Sequence, residues 1–154
     1  MHTGDESCHS STIAINATTD VAFNYLSDGV AQGDWTLGSM QREKIGDHLY
    51  SGTSIFNGAQ LFVRIDADKE RLMVYYHVGG DIHSLQPRNV VRILPGQMVG
   101  KEESSCLVTL LSWRNHQTDD NKWKLTCVSH ETEMFIIKDR IEALQDSAAA
   151  RSRL

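Results

Sequence analysis

The chain has 154 residues, 40% hydrophobic and 23% charged, with a formal net charge of −5. That is enough for one globular domain with its own core, and the composition is neither disordered nor fibrous. The acidic balance excludes a nucleic-acid partner, which would need a concentration of Lys and Arg. No apolar run reaches the roughly 18 residues that span a bilayer, and the start MHTGDESCHSS lacks the basic and apolar parts of an export signal, so a cytoplasmic protein is expected.

Residues 1–10 are polar without a hydrophobic period and are expected to form a disordered tail, as is 148–154; the ordered domain is then 11–147. The first element is a strand in STIAIN, with Ile13 and Ile15 on one face. In TTDVAFNYLSD, Thr18 or Thr19 caps a short helix, Asp20 suits its positive end, and Val21, Phe23, Tyr25 and Leu26 supply an apolar face. Gly29 and Gly33 break the chain into a second short helix or turn ending near Trp35.

From there the pattern has period two. Strands are expected at 39–45, 48–56, 60–66, 71–78, 88–94 and 105–114, separated by turn chemistry such as Gly46-Asp47 and Asn57-Gly58. Links this short favour antiparallel neighbours, giving a seven-stranded antiparallel sheet. The last element is a long helix from about Asp120 to Gln145, capped by the Asp119 region. Its stripe of Cys127, His130, Met134, Ile137, Ile141 and Leu144 must bury itself against the sheet, with Trp123 and Phe135 beside it.

The cysteines Cys8, Cys106 and Cys127 are odd in number and lack C-x-x-C spacing, so reduced thiols are expected, with neither disulfide nor zinc. His77 with His83, and His116 with Asp119 and Asp120, fix no ligand geometry, so no metal site is assigned. No dinucleotide, P-loop, zincin or serine-hydrolase motif is present in the sequence, and no cofactor is expected.

The order strand, two short helices, six strands, long helix resembles the helix-grip architecture of the START-like (SRPBCC) superfamily, especially its bacterial polyketide cyclase/dehydrase-type members. Three places carry the resemblance. One is the first strand with the TTDVAFNYLSDGVAQGDW block after it, with Ile13, Val21, Phe23, Leu26, Asp28 and Trp35; another is the terminal helix pattern of Ile137, Lys138, Ile141 and Glu142; the third is the run of six strands between them. The glycine-rich loop of the plant-allergen branch is missing, with only Gly46 in its place. Nuclear-transport-factor-like and SnoaL-type barrels form a similar cavity, but their helices mostly come first in the chain.

The resemblance implies an α+β fold in which a curved sheet wraps a long C-terminal helix around a cavity for a small hydrophobic molecule. The superfamily uses that cavity for lipids, steroids, polyketides and plant hormones, in transport or in chemistry, and fold alone does not separate these. Two functions stay open: binding of a hydrophobic or aromatic metabolite, and cyclase, dehydratase or isomerase chemistry. A third, an interaction module of the chaperone-cofactor kind, needs a large exposed apolar patch. Homodimerisation is also left open.

Candidate catalytic residues are His130, which interrupts the apolar stripe of the terminal helix, and Glu131 beside it, as orienting group or base. Candidate ligand contacts are Trp35, Cys127, Met134 and, from strand 71–78, either Tyr76 on the Leu72/Val74/Val78 face or Tyr75 and His77 on the other. Each has a structural alternative: a hydrogen-bonded core histidine, a solvated glutamate, a tryptophan anchor, a packing tyrosine. Arg92 alternates away from its apolar neighbours and reads as solvated.

Overall fold

The computed structural model describes residues 4–154. Seven strands form one antiparallel sheet: β1 (Cys8–Ile15), β2 (Met40–Gly46), β3 (Leu49–Thr53), β4 (Gln60–Asp68), β5 (Met73–Gly79), β6 (Gln86–Pro95) and β7 (Cys106–Trp113). Their order is β1-β7-β6-β5-β4-β3-β2, so the first strand pairs with the last and the rest follow as a meander. Helix α1 (Thr19–Leu26) and a single 3-10 turn (Ala31–Asp34) link β1 to β2, and α2 (Asp120–Ser152) closes the chain. This is the α+β helix-grip arrangement.

Local chemistry accounts for the helix starts. Thr18 caps α1 by accepting from the Val21 amide, and Asp119 caps α2 by accepting from that of Lys122; both satisfy amides that a first turn leaves open. The order of buried and exposed residues identifies the concave face. In β7 the inward series is Cys106, Val108, Leu110 and Ser112, and in β5 it is Val74 and Tyr76, leaving Tyr75 exposed. Register carries the series across the sheet, with Ser112 opposite Asn89, Asn89 opposite Tyr76, and Tyr76 opposite Ile65.

Helix α2 lies across this face unevenly. Its second half packs tightly: Met134, Ile137 and Ile141 join Ile15, Phe23, Leu26, Val91, Ile93 and Val108 in the core. Three polar contacts then pin this end to the β1–α1 junction. Lys138 Nζ donates to the Ala14 carbonyl at 3.1 Å, Glu142 accepts from the Asn16 amide at 2.9 Å, and Gln145 accepts from the Thr18 amide at 3.0 Å. The Lys138/Glu142 pattern at the end of the helix is thus a staple on backbone groups that the sheet does not use.

The boundaries differ from the sequence reading at both ends. β1 begins at Cys8, where Cys8, His9 and Ser10 pair with Trp113, Ser112 and Leu111; the Trp123 indole N–H also donates to the Glu6 carbonyl at 2.7 Å. Polar side chains hid this strand, because backbone pairing needs no apolar alternation. α2 likewise runs on to Ser152 through AAARS, where alanine favours helix without a buried face to reveal it. On the outer side of α2, Leu125, Val128 and Phe135 are exposed, so Phe135 points away from the sheet while Trp123 is buried.

Candidate functional site

A partly open cavity of about 490 Å³ lies between the first half of α2 and the sheet, within the range that takes a small organic ligand. Phe62, Val63, Val78 and Leu110 give it apolar walls. Trp35 comes in from the segment after the 3-10 turn and meets Tyr76 edge to face, with ring centroids 6.0 Å apart. The Tyr76 hydroxyl donates to the Leu26 carbonyl at the end of α1, 2.5 Å away, so its proton is committed to the fold, and burial pushes its pKa up.

The polar end is built from α2, β6 and β7. Asn89 and Ser112, paired on adjacent strands, share the concave face, and Ser112 Oγ donates to Asn89 Oδ1 at 2.7 Å. The hydroxyl's single hydrogen being used, it meets His130 Nδ1 at 2.8 Å as an acceptor, so the imidazole carries its proton on Nδ1. His130 Nε2 is left with a lone pair, 3.8 Å from Glu133 Oε2. Burial, then the charges of His9 and Arg88, lowers the His130 pKa to about 4, and the ring is neutral at physiological pH.

Glu133 lies one helical turn beyond His130 on the same face and is 3% exposed. Its Oε1 accepts from the Leu37 amide at 2.7 Å. Burial raises its pKa to about 7, outweighing the Leu37 and Gly38 amides and the charge of Arg42, all of which favour the carboxylate. Near neutral pH this carboxyl is therefore populated in both its acid and carboxylate forms.

Arg42 reaches the same cavity through a bulge in β2. Pairing jumps from Met40–Thr53 to Glu43–Ser51, so Gln41 and Arg42 together face Gly52, and Gln41 sits at φ +57°, the left-handed region that a non-glycine residue rarely takes. The Arg42 stem passes between two glycines. A Cβ on Gly33 would lie 2.9 Å from Arg42 Cγ, and one on Gly52 would lie 3.0 Å from Arg42 Cδ and 2.4 Å from Ser39 Oγ. Burial lowers the pKa of this guanidinium to about 10.

Of the residues singled out from sequence, Trp35, Tyr76 and His130 line the cavity. Met134 is buried in the core beyond it, Cys127 is half-buried on α2, and His77 falls on the other face of β5 from Tyr76. Glu131 points outward with its side chain 63% exposed, 3.7 Å from His9. The carboxylate that shares the face of His130 is Glu133, at the i+3 spacing rather than i+1. Arg92 stays off the cavity, its guanidinium donating to the Ile93 carbonyl at 3.0 Å and to that of Arg71. Arg42, Asn89 and Ser112 are additions of the structure; only Glu133 left a signal in the sequence, its helical spacing from His130.

No family model matches the chain, and no curated protein matches it in sequence. Solved structures do match in fold. A START superfamily protein from Mycobacterium smegmatis aligns with a TM-score of 0.63 at 13% identity, over 89% of this chain and 98% of that one. The di-domain ARO/CYC BexL of the BE-7585A biosynthetic pathway aligns with a TM-score of 0.65 at 13% identity, over 88% of this chain and 46% of its own. The Aha1 dimer from Colwellia psychrerythraea aligns with a TM-score of 0.62 at 14% identity, over 88% and 96%. The curved seven-stranded sheet, the long terminal helix and these matches together give the chain the START-like, helix-grip fold.

Proposed function

We propose that this protein binds a small hydrophobic or aromatic metabolite in the cavity between the sheet and α2. The observation that carries the reading is the space itself: α2 is packed against the sheet from Met134 onward but leaves about 490 Å³ beside His130 and Glu133, with apolar walls and a few convergent polar groups. Native mass spectrometry of the protein purified from its host tests this. A copurifying small molecule is expected in the wild type and is expected to be diminished in Leu110→Trp, in which an indole narrows the cavity. Empty wild-type protein that also shows no thermal shift with a panel of apolar ligands overturns the reading.

A second reading, proton-transfer chemistry of the cyclase, dehydratase or isomerase kind, is favoured by one observation. His130 and Glu133, 3.8 Å apart, are pushed in opposite directions by the same burial, the pattern by which environments assign acid and base roles. In this reading the carboxylate form of Glu133, present beside its acid form near neutral pH, takes the proton from the substrate carbon and the acid form returns one, while the neutral His130, held by Ser112 and Asn89, fixes the position of the carboxyl. The fold shared with the solved ARO/CYC structure of BexL supports this reading.

The assay is hydrogen–deuterium exchange at the α-carbon of 2-tetralone in D₂O. Exchange at least tenfold above buffer is expected from the wild type and should be lost in Glu133→Gln with binding retained. Exchange at the buffer rate in both proteins leaves a carrier.

A further inference from the structure

We infer that the ligand held in this cavity carries a carboxylate, and that Arg42 is the group that receives it. The inference rests on the binding reading above and adds the chemical class of the ligand.

Arg42 is a half-buried cation whose guanidinium has no hydrogen-bond partner among the described residues. Its Nε and Nη1 are buried and make no hydrogen bond, and among the described residues no carboxylate lies within ion-pairing distance of it. Its environment includes Tyr76 and Glu133, both of which favour its charged form. Neither supplies a full counter-charge: the Tyr76 proton is held by the Leu26 carbonyl, and Glu133 is itself partly protonated near pH 7. An uncompensated buried charge is among the most destabilising features a core can hold, and mutation readily removes one. Here the opposite has been built, with a strained bulge at Gln41 and glycines at 33 and 52 that give the arginine stem its path.

The atoms around it agree. Trp35 Nε1, Ser39 Oγ and Gln32 Oε1, on residues 2–4% exposed, also lack hydrogen-bond partners, and all three residues line the cavity with Arg42. Buried polar groups in native folds are nearly always satisfied, so a set of orphans in one place marks where an external group completes the network. Two of the three can donate, and with the planar guanidinium fork they form a donor-rich end suited to a carboxylate. The apolar walls contributed by Phe62, Val63, Val78 and Leu110 then take the rest of the molecule.

The test uses two acids, 2-naphthoic acid and cis-parinaric acid, each paired with its methyl ester, titrated into wild-type protein and Arg42→Met and followed by calorimetry. Methionine keeps an unbranched apolar stem, and circular dichroism checks that the variant is folded. At least one acid is expected to bind the wild type tenfold or more tighter than its ester, with the preference falling below twofold in Arg42→Met while the ester binds undiminished. Equal affinity of acids and esters for the wild type overturns the carboxylate inference and leaves the binding reading standing. A preference that survives Arg42→Met overturns the role of Arg42. Failure of all four probes to bind the wild type overturns the carboxylate inference, while the binding reading stands or falls on the copurification test.

Discussion

Glu133 and His130 pull the pH dependence of stability in opposite directions. The Glu133 carboxyl has a folded pKa of about 7 against an ordinary 4.5, so between those values the folded state holds a proton that the unfolded chain has released, and stability falls as pH rises. His130 has a folded pKa of about 4 against 6.5, so the unfolded chain binds the extra proton and stability rises across that interval. Between pH 4.5 and 6.5 the two slopes nearly cancel. Glu133→Gln removes one of them: at pH 8 the variant is expected to be more stable than wild type, by up to roughly 3 kcal/mol, and at pH 4 about equally stable. Urea denaturation at the two pH values checks this, and a variant less stable at pH 8 would show that the carboxylate form is favoured by the fold. Tyr76→Phe tests the opposite sort of residue. It leaves the buried Leu26 carbonyl unpaired and is expected to cost roughly 1–2 kcal/mol in denaturant unfolding.

At the scale of elements, the two ends of the chain differ although both are polar. Deleting residues 1–10 removes the pairing of Cys8, His9 and Ser10 with β7 and the Trp123–Glu6 bond, and is expected to destabilise the fold by roughly 2–3 kcal/mol. Truncation after Ser147 keeps Gln145 on the Thr18 amide and removes an exposed helical end, so unfolding midpoints should move by less than about 0.5 kcal/mol equivalent. Comparable losses from both truncations would contradict the difference in packing. β2 carries the other lesson of this scale. In the segment QREKIG a regular strand would alternate Arg42 with its neighbours, whereas the bulge places two residues against Gly52 and re-aims the guanidinium. The strand as such was legible from period-two patterning; its irregularity, on which the polar end of the cavity depends, was not.

Over the whole molecule, a ligand that binds only the folded state stabilises it by mass action. Once the binding partner is in hand, about 2.7 kcal/mol is expected at a concentration about 100-fold above Kd, read as a rise in thermal midpoint that is smaller in Leu110→Trp at the same ligand concentration. Among the described residues no helix is long and apolar enough to cross a membrane. The sequence by itself determined the element order, the antiparallel sheet, the helix caps and the packing stripe of Met134, Ile137 and Ile141, because local periodicity and turn chemistry act between residues a few positions apart. It also singled out Trp35 and His130, and Tyr76 as one of two alternatives on β5; the structure brings these three to one cavity. Only the tertiary structure decided which face of β5 is concave, that Glu133 rather than Glu131 stands beside His130 in the cavity, and that Arg42 joins them. Those outcomes follow from register, a bulge and burial, which depend on residues distant in the chain meeting across the sheet, and no local pattern encodes that meeting.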